Sequence, residues 1–535
     1  MDINEFREFG RAAIDFLADY LENIRERPVL PSVEPGYLHE LLPTEMPKES
    51  ENWKDIMKDL DSFILPGLTH WQSPRFHAFY PSQTSFPAII GEMISAGLGV
   101  VGFSWICSPA CTELEVIVMD WLGKFLNLPA HFLPSDPGNG GGIIQGSASE
   151  AILVAVLAAR EEKVRQMKKE RPEMSEGDIR AKLVGYGSIH SNSAIEKSGL
   201  LAATKMRLLD SDENSILRGE IVQQAIESDI EAGLIPYVCI ATVGTTGTCA
   251  FDKLEEIGPI CKKYNVWMHI DAAYAGAAFC LPEYAHIKEG AEYGDSINFN
   301  LHKWMLVNFD CCAMWIRNAN ALTESFNVER IYLDHKYQGD SKAPDYRHWQ
   351  LALGRRFRSL RVWITLRTYG QDYIRSYIRK HISLANLLLK YMSEDERFEV
   401  AGSSLALAFF RLKGDCSLSK RLLDKIVERK NIYMIPALFQ DKFIIRFVIC
   451  GMDPQEKDIE YAWNEIKTVA DEMFEEIKKE QKEIVEESQI KEGKEIHVDN
   501  NNNEKVIFEK INEISDVITR HFDISSDTTT EKTKH

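Results

Sequence analysis

Nowhere in the 535 residues do two cysteines stand at Cys-x-x-Cys spacing, and neither Cys107/Cys111 nor Cys311/Cys312 has a histidine partner at ligand spacing. That argues against a metal site of the zinc-finger kind. Positive charge is also short: 62 Lys and Arg stand against 81 Asp and Glu, a net charge of −19. Such a balance disfavours a nucleic-acid surface and fits a soluble cytoplasmic protein. No basic-then-apolar leader opens at Met1-Asp-Ile-Asn-Glu, so the ten cysteines are expected to be reduced. The longest uncharged run, 93–112, approaches bilayer length, but Gly97, Gly99, Gly102, Ser104, Ser108 and Pro109 interrupt it. It reads as buried or interface backbone and not as a transmembrane segment. What is plentiful is apolar content, 44%, enough for a large core in more than one domain.

The chemistry centres on Asp295-Ser-Ile-Asn-Phe-Asn-Leu-His-Lys303-Trp-Met-Leu-Val. A lysine among Trp304, Met305, Leu306 and Val307 is not on a solvated face, and burying an unpaired ammonium is costly. Two readings are open from this run. The amine is desolvated for Schiff-base formation, or the side chain snorkels from the edge of a core strand.

Two further stretches bear on the choice. Val266-Trp-Met-His-Ile-Asp271-Ala-Ala-Tyr-Ala-Gly reads as a buried strand running into a carboxylate, which needs a cation. In pyridoxal phosphate enzymes that cation is the protonated ring nitrogen. Asp136-Pro-Gly-Asn-Gly-Gly-Gly142-Ile-Ile-Gln-Gly-Ser147-Ala-Ser149-Glu150 reads as turn, strand and helix start, with Ser147 and Glu150 at capping-box spacing. Free N–H groups at that helix N-terminus suit a phosphate.

The runs Gly146-Ser-Ala-Ser-Glu150, His269-Ile-Asp-Ala-Ala-Tyr-Ala-Gly276 and Asn298-Phe-Asn-Leu-His-Lys-Trp304 resemble those of the group II pyridoxal-phosphate decarboxylases, within them the aromatic L-amino-acid decarboxylases and their insect relatives. The likeness covers about residues 1–475. It implies the α/β fold of the PLP-dependent transferases (aspartate aminotransferase fold type I), and a homodimer. It also implies pyridoxal 5'-phosphate bound covalently to Lys303, with the phosphate held by Ala148, Ser149 and Asn300, helped by Ser296 and His302. Asp271 would pair with the pyridinium, and Thr246 and Ala273 would contact the ring. Capping, turn formation or core packing is the plainer role available to each of these residues.

Periodicity orders the rest. A helical stripe over 3–25, ended by Pro28 and followed by proline-rich 31–47, gives an N-terminal segment of 1–85. By resemblance it wraps the partner subunit; a helix packed on its own chain is the alternative. Residues 86–360 alternate apolar runs (141–145, 183–186, 237–242, 266–271) with helical ones, as in a mostly parallel α/β sheet whose strand ends carry the ligand. A smaller α+β domain is expected over 361–475, with a helix at 376–392 and strands at 405–412 and 443–449. Glu/Lys-rich 476–535 reads as a disordered tail, with helical spacing only at 505–522.

On the substrate side, Trp71 and Phe103 are candidate walls of an aromatic pocket, although such aromatics are more often plain core. Ser82 offers a hydroxyl where related decarboxylases carry threonine, and Phe79-Tyr80 reverses their tyrosine–phenylalanine order. Tyr332, on a segment 328–344 read as a mobile loop, matches the decarboxylases' proton-donating tyrosine. The main departure is Asn192. Aligned on Glu196-Lys197-Ser198-Gly199, it falls where those decarboxylases carry a histidine over the cofactor, while His190 is out of register. An amide neither titrates near neutral pH nor delivers a proton. The substrate carbon should therefore stay unprotonated long enough for O2, as co-substrate, to take its electrons. This pattern resembles the insect 3,4-dihydroxyphenylacetaldehyde synthases, with L-dopa the favoured substrate. The alternatives are a conventional decarboxylase making dopamine or tyramine, and a silent scaffold that the intact Lys303, Asp271 and Ser149 argue against.

Overall fold

The computed structural model describes residues 1–333, 335–337 and 343–492, the last six as backbone only. Seven strands form the main sheet: β1 (Gly141–Gln145), β2 (Leu183–Ser188), β3 (Lys205–Leu209), β4 (Ile235–Thr242), β5 (Trp267–Asp271), β6 (Ser296–Asn300) and β7 (Cys312–Ile316). Their order is β1-β7-β6-β5-β4-β2-β3, parallel except for β7, which runs antiparallel to both neighbours. The strands read as continuous apolar runs because both faces are covered. Alternate residues serve two cores. Ile144, Ala241, Met268, Ile270 and Phe299 join one with Val118, Met119 and Leu122 of the helix Pro109–Phe125. Ile143, Val238, Ile240 and Met314 join the other with Ala151, Ile152 and Ala155 of the helix Ala148–Glu170.

A second, antiparallel sheet holds β8 (Phe398–Ser404), β9 (Leu407–Leu412), β10 (Ile435–Phe439) and β11 (Lys442–Val448) in the order β10-β11-β9-β8. The helix Arg358–Ser393 links the sheets and breaks at Gly370 (φ 69°), a left-handed position that suits glycine. Its later half matches the helix expected at 376–392.

The helix Ile3–Glu22 opens on a capping box, Asp2 accepting from Glu5 N–H and Glu5 answering at Asp2 N–H. Parts of residues 25–80 pack on their own chain's C-terminal domain: Val29 N–H donates to Lys430 O (3.0 Å), His77 N–H to Tyr433 O (2.8 Å), and Arg25 grips Asp458 through two 2.8 Å bonds. The stripe of the first helix divides: Phe9 stacks on Trp53 (5.0 Å), Tyr20 bonds His70 Nδ1 (2.8 Å) and Ile24 is buried, all on the same chain, while Phe6 and Leu17 stay exposed. The uncharged run also differs from a buried segment, because Met93, Ile94, Leu98 and Ile106 are all exposed.

Composition changes at 475, but order does not end there. The helix Glu456–Glu492 runs through, and Glu476 and Glu480 pair with Arg421 and Lys425 of the helix Cys416–Arg429 at 2.8–3.0 Å. Charged residues that cannot build a core can still extend a helix when cations face them. The helical spacing at 505–522 lies outside the described residues.

Candidate active site

Parallel pairing of Asp271 with Asn298 sets the ends of β5 and β6 side by side, and the short helix Leu301–Trp304 follows directly on β6. Lys303 therefore stands at the strand-end crevice, its Nζ 5.6 Å above the Tyr80 ring. Burial holds the ammonium below the usual lysine range, partly countered by the Asp271 carboxylate, so more of the amine is free base. Asp271 is 3% exposed. Its Oδ1 accepts from Ala273 N–H and Asn298 Nδ2, both at 3.1 Å, and its Oδ2 takes no hydrogen bond among the described residues.

The turn before the helix Ala148–Glu170 is tied on both sides. Ser147 Oγ accepts from Glu150 N–H (3.2 Å), and Glu150 Oε2 accepts from Gly146 N–H (2.9 Å). The N–H groups of Ala148 and Ser149 in the first turn remain for an anion. Asn300 is buried with its Oδ1 unpartnered, and its backbone N–H donates to Ala273 O (3.0 Å). His302 accepts from Cys311 N–H at Nδ1 (3.0 Å), so its proton sits on Nε2, and burial pushes its pKa down to about 4. Among the described residues, an amine without a hydrogen bond, a carboxylate with one oxygen open and a helix N-terminus with free N–H groups together fit pyridoxal phosphate.

Ser296 does not belong to this cradle. It begins β6 where Asn300 ends it, and its hydroxyl bonds Trp267 Nε1 (2.9 Å) and His269 Nδ1 (2.7 Å). Four strand residues at ~3.3 Å each separate it from Asn300 by roughly 13 Å, so it lies behind Asp271 instead of at the phosphate.

Asn192 is exposed; it caps a helix and also reaches Thr246. Its Oδ1 accepts from Ala194 N–H (3.0 Å) at the start of the helix Ala194–Ala202, and its Nδ2 donates to Thr246 Oγ1 (3.4 Å). Asn192 and Thr246 are thereby brought together. His190 is half-buried, and its backbone is bound to Ser188 Oγ (3.1 Å).

The aromatic candidates divide. Phe79 adopts φ 59°, a strained left-handed conformation for a non-glycine residue, and this turns Phe79 and Tyr80 to different neighbours. Phe79 stacks on Trp71 (5.6 Å between centroids), which also stacks on Phe76 (4.6 Å). Tyr80 goes under Lys303, its hydroxyl donating to Thr245 O (2.9 Å) and its ring stacked on Tyr274 at 3.8 Å. Ser82 is half-buried, its carbonyl accepting from Gln72 Nε2 (2.8 Å). Phe103 stands apart from this cluster, its carbonyl accepting from Arg347 N–H (3.1 Å). Tyr332 sits on the turn Ile331–Leu333 and is 75% exposed; residues 334 and 338–342 of its segment lie outside the described residues.

Sequence reasoning missed Arg446. From β11 it enters the large domain, donating to Gly247 O (2.8 Å) and Phe79 O (3.3 Å) with its guanidinium 5.1 Å from the Tyr80 ring. An arginine in the strand Lys-Phe-Ile-Ile-Arg-Phe-Val was the available signal, since a charge amid core residues needs acceptors.

A lysine and a carboxylate at adjacent ends of a mostly parallel sheet, beside a capped helix N-terminus, define a pyridoxal-phosphate enzyme of the α/β class. The chain belongs to the family described as the pyridoxal-dependent decarboxylase conserved domain, whose model matches residues 35–413. It is 65% identical over 471 residues to a 3,4-dihydroxyphenylacetaldehyde synthase of Aedes aegypti, covering 88% of this chain and 90% of that one. An aromatic-L-amino-acid decarboxylase of Drosophila melanogaster is 49% identical over 477 residues, covering 89% and 93%. The crystal structure of Catharanthus roseus tryptophan decarboxylase in complex with L-tryptophan superposes with a TM-score of 0.82 at 36% identity, covering 88% and 99%.

Proposed function

We propose that this enzyme converts an aromatic L-amino acid, L-dopa in preference, to the arylacetaldehyde, here 3,4-dihydroxyphenylacetaldehyde. One O2 and one water are consumed, and CO2, ammonia and hydrogen peroxide are released. The observation that carries the reading is Asn192, a carboxamide held at both ends, by Ala194 N–H and by Thr246, where the resembling decarboxylases carry histidine. Its similarity to the synthase of Aedes aegypti supports the same branch.

When bound, pyridoxal phosphate supplies an electron sink for the pair left on the substrate carbon as CO2 departs. Lys303 would hold the cofactor through its amine. Asp271 would keep the ring nitrogen charged through Oδ2, and the Ala148–Ser149 N–H groups with Asn300 and His302 would hold the phosphate. Asn192 has no proton to give at neutral pH, so the substrate carbon keeps its electron pair and O2 competes for it. Tyr332 is the residue whose arrival would favour protonation and an amine product.

Product analysis with L-dopa in air tests this. Oxygen loss matched by peroxide and aldehyde is expected, and Asn192→His should move product toward dopamine. Dopamine without oxygen uptake would overturn the reading in favour of conventional decarboxylation. The open apolar stripe at Ile3, Phe6, Ile14 and Leu17, together with exposed Met93, Ile94 and Leu98, supports a homodimer that covers both. Ten free cysteines, eight of them buried, and the acidic balance support a cytoplasmic location.

A further inference from the structure

Behind Asp271 lies a line of side chains that the reaction as described does not use. Trp267 Nε1 bonds Ser296 Oγ at 2.9 Å, Ser296 Oγ bonds His269 Nδ1 at 2.7 Å, His269 Nε2 bonds Asn298 Oδ1 at 2.7 Å, and Asn298 Nδ2 bonds Asp271 Oδ1 at 3.1 Å. All five residues are buried. Chemistry at the two ends fixes the direction of every bond. An indole N–H can only donate, and an ionised carboxylate can only accept. Ser296 must therefore spend its one hydrogen on His269 Nδ1, which leaves the neutral imidazole with its hydrogen on Nε2. That hydrogen goes to the Asn298 carbonyl, and the amide N–H goes to Asp271. His269 is neutral because burial pushes its pKa down to about 4.

We propose that Trp267, Ser296, His269 and Asn298 form a one-way hydrogen-bond relay that aims the Asp271 carboxylate, making them positioning residues for the cofactor ring. This rests on the pyridoxal-phosphate reading of the site. Aligned donors polarise one another, so each bond strengthens the next toward the carboxylate. With Oδ1 already taking Asn298 and Ala273, a proton on that oxygen would face two N–H groups, and Oδ2 is the oxygen left for the ring nitrogen. Losing the Ser296 hydroxyl frees His269 to take the other tautomer. Asn298 would then have to turn its carbonyl toward Asp271, placing two acceptors together.

The test uses the holoenzyme and its Ser296→Ala and Ser296→Thr variants, with three readings: the dissociation constant for pyridoxal phosphate, kcat and KM at saturating cofactor, and thermal midpoints of the apoproteins. Ser296→Ala is expected to weaken cofactor binding about tenfold and lower kcat about tenfold with KM within about twofold. Ser296→Thr, which keeps the hydroxyl, should stay within about twofold of the parent. A Ser296→Ala protein that loses only thermal stability, or a Ser296→Thr protein that fails like alanine, overturns the relay. Should Ser296→Ala not fold, Trp267→Phe decides by the same measurements. It should weaken cofactor binding about threefold, and unchanged binding refutes the proposal. A parent protein that binds no pyridoxal phosphate would instead refute the cofactor reading itself.

Discussion

Arg355→Met should be among the most damaging single changes outside the cofactor cradle, because it strands a carboxylate in the core. Glu115 is 0% exposed and accepts three N–H bonds: Arg355 Nη2 (2.6 Å), Arg355 Nη1 (3.0 Å) and Ile144 N–H (2.7 Å). Arg355 also donates to Gln350 Oε1 (2.8 Å) and Ile144 O (3.2 Å). Methionine leaves Glu115 with Ile144 alone. Removing one partner of a buried pair costs about 3–5 kcal/mol, which at 1.36 kcal/mol per decade is roughly two to four decades in a local opening equilibrium. Hydrogen exchange of peptides across β1 reads this directly, since the Ile144 amide is one of the groups released. Glu115→Leu combined with Arg355→Met removes both charges and should cost less than Arg355→Met alone. A single variant whose β1 exchange stays within about fivefold of the parent, or a double variant that costs as much as Arg355→Met alone, would refute the reasoning. Because β1 leads into the Gly146–Ser147 turn, the same variant should also retain its cofactor poorly.

Three other outcomes are expected. His77 is fully buried with Nδ1 on Val448 O (3.0 Å) and Nε2 unpartnered, and burial pushes its pKa down to about 4. The unfolded chain binds that proton first, so stability present above pH 6.5 is lost as pH falls through 4; His77→Gln should flatten the acid side of a thermal-midpoint profile. Arg446→Lys should lower kcat/KM about tenfold, as an ammonium cannot span the Gly247 and Phe79 carbonyls as a planar guanidinium does, and full activity in the lysine variant would count against this role. Phe6→Glu with Leu17→Glu should convert the proposed dimer to monomer in sedimentation while leaving the circular dichroism of the chain intact, and an unchanged sedimentation coefficient would reject the stripe as an interface.

The parallel sheet and the Lys303–Asp271 pair were legible because both are local: a buried strand is a run of apolar residues, and each reactive group sits at the end of one. Thr246 and Asn192 were each assigned through resemblance, and nothing in the sequence announced the hydrogen bond that joins them. Arg446 was not legible, since nothing near Lys303 in sequence announces a guanidinium arriving from β11. Ser296 was misassigned although the means to place it were there. Residues 296, 298 and 300 alternate onto one face, and distance along the strand separates a residue at its start from one at its end. The helix past 475 was hidden because its support comes from Arg421 and Lys425 on another helix, which a windowed composition does not see.

Arg446 also has a consequence in time. His77, made early, finds its backbone partners at Tyr433 and Val448, and the guanidinium that binds Phe79 O is made well after Lys303. A growing chain thus carries Lys303 and Asp271 long before it carries a finished crevice, and closing contacts of such long sequence separation is slow. That order of assembly bears on the reaction proposed above, whose products are an aldehyde and a peroxide: the reactive amine is made early, but its enclosure exists only once Phe79 and Arg446 have met.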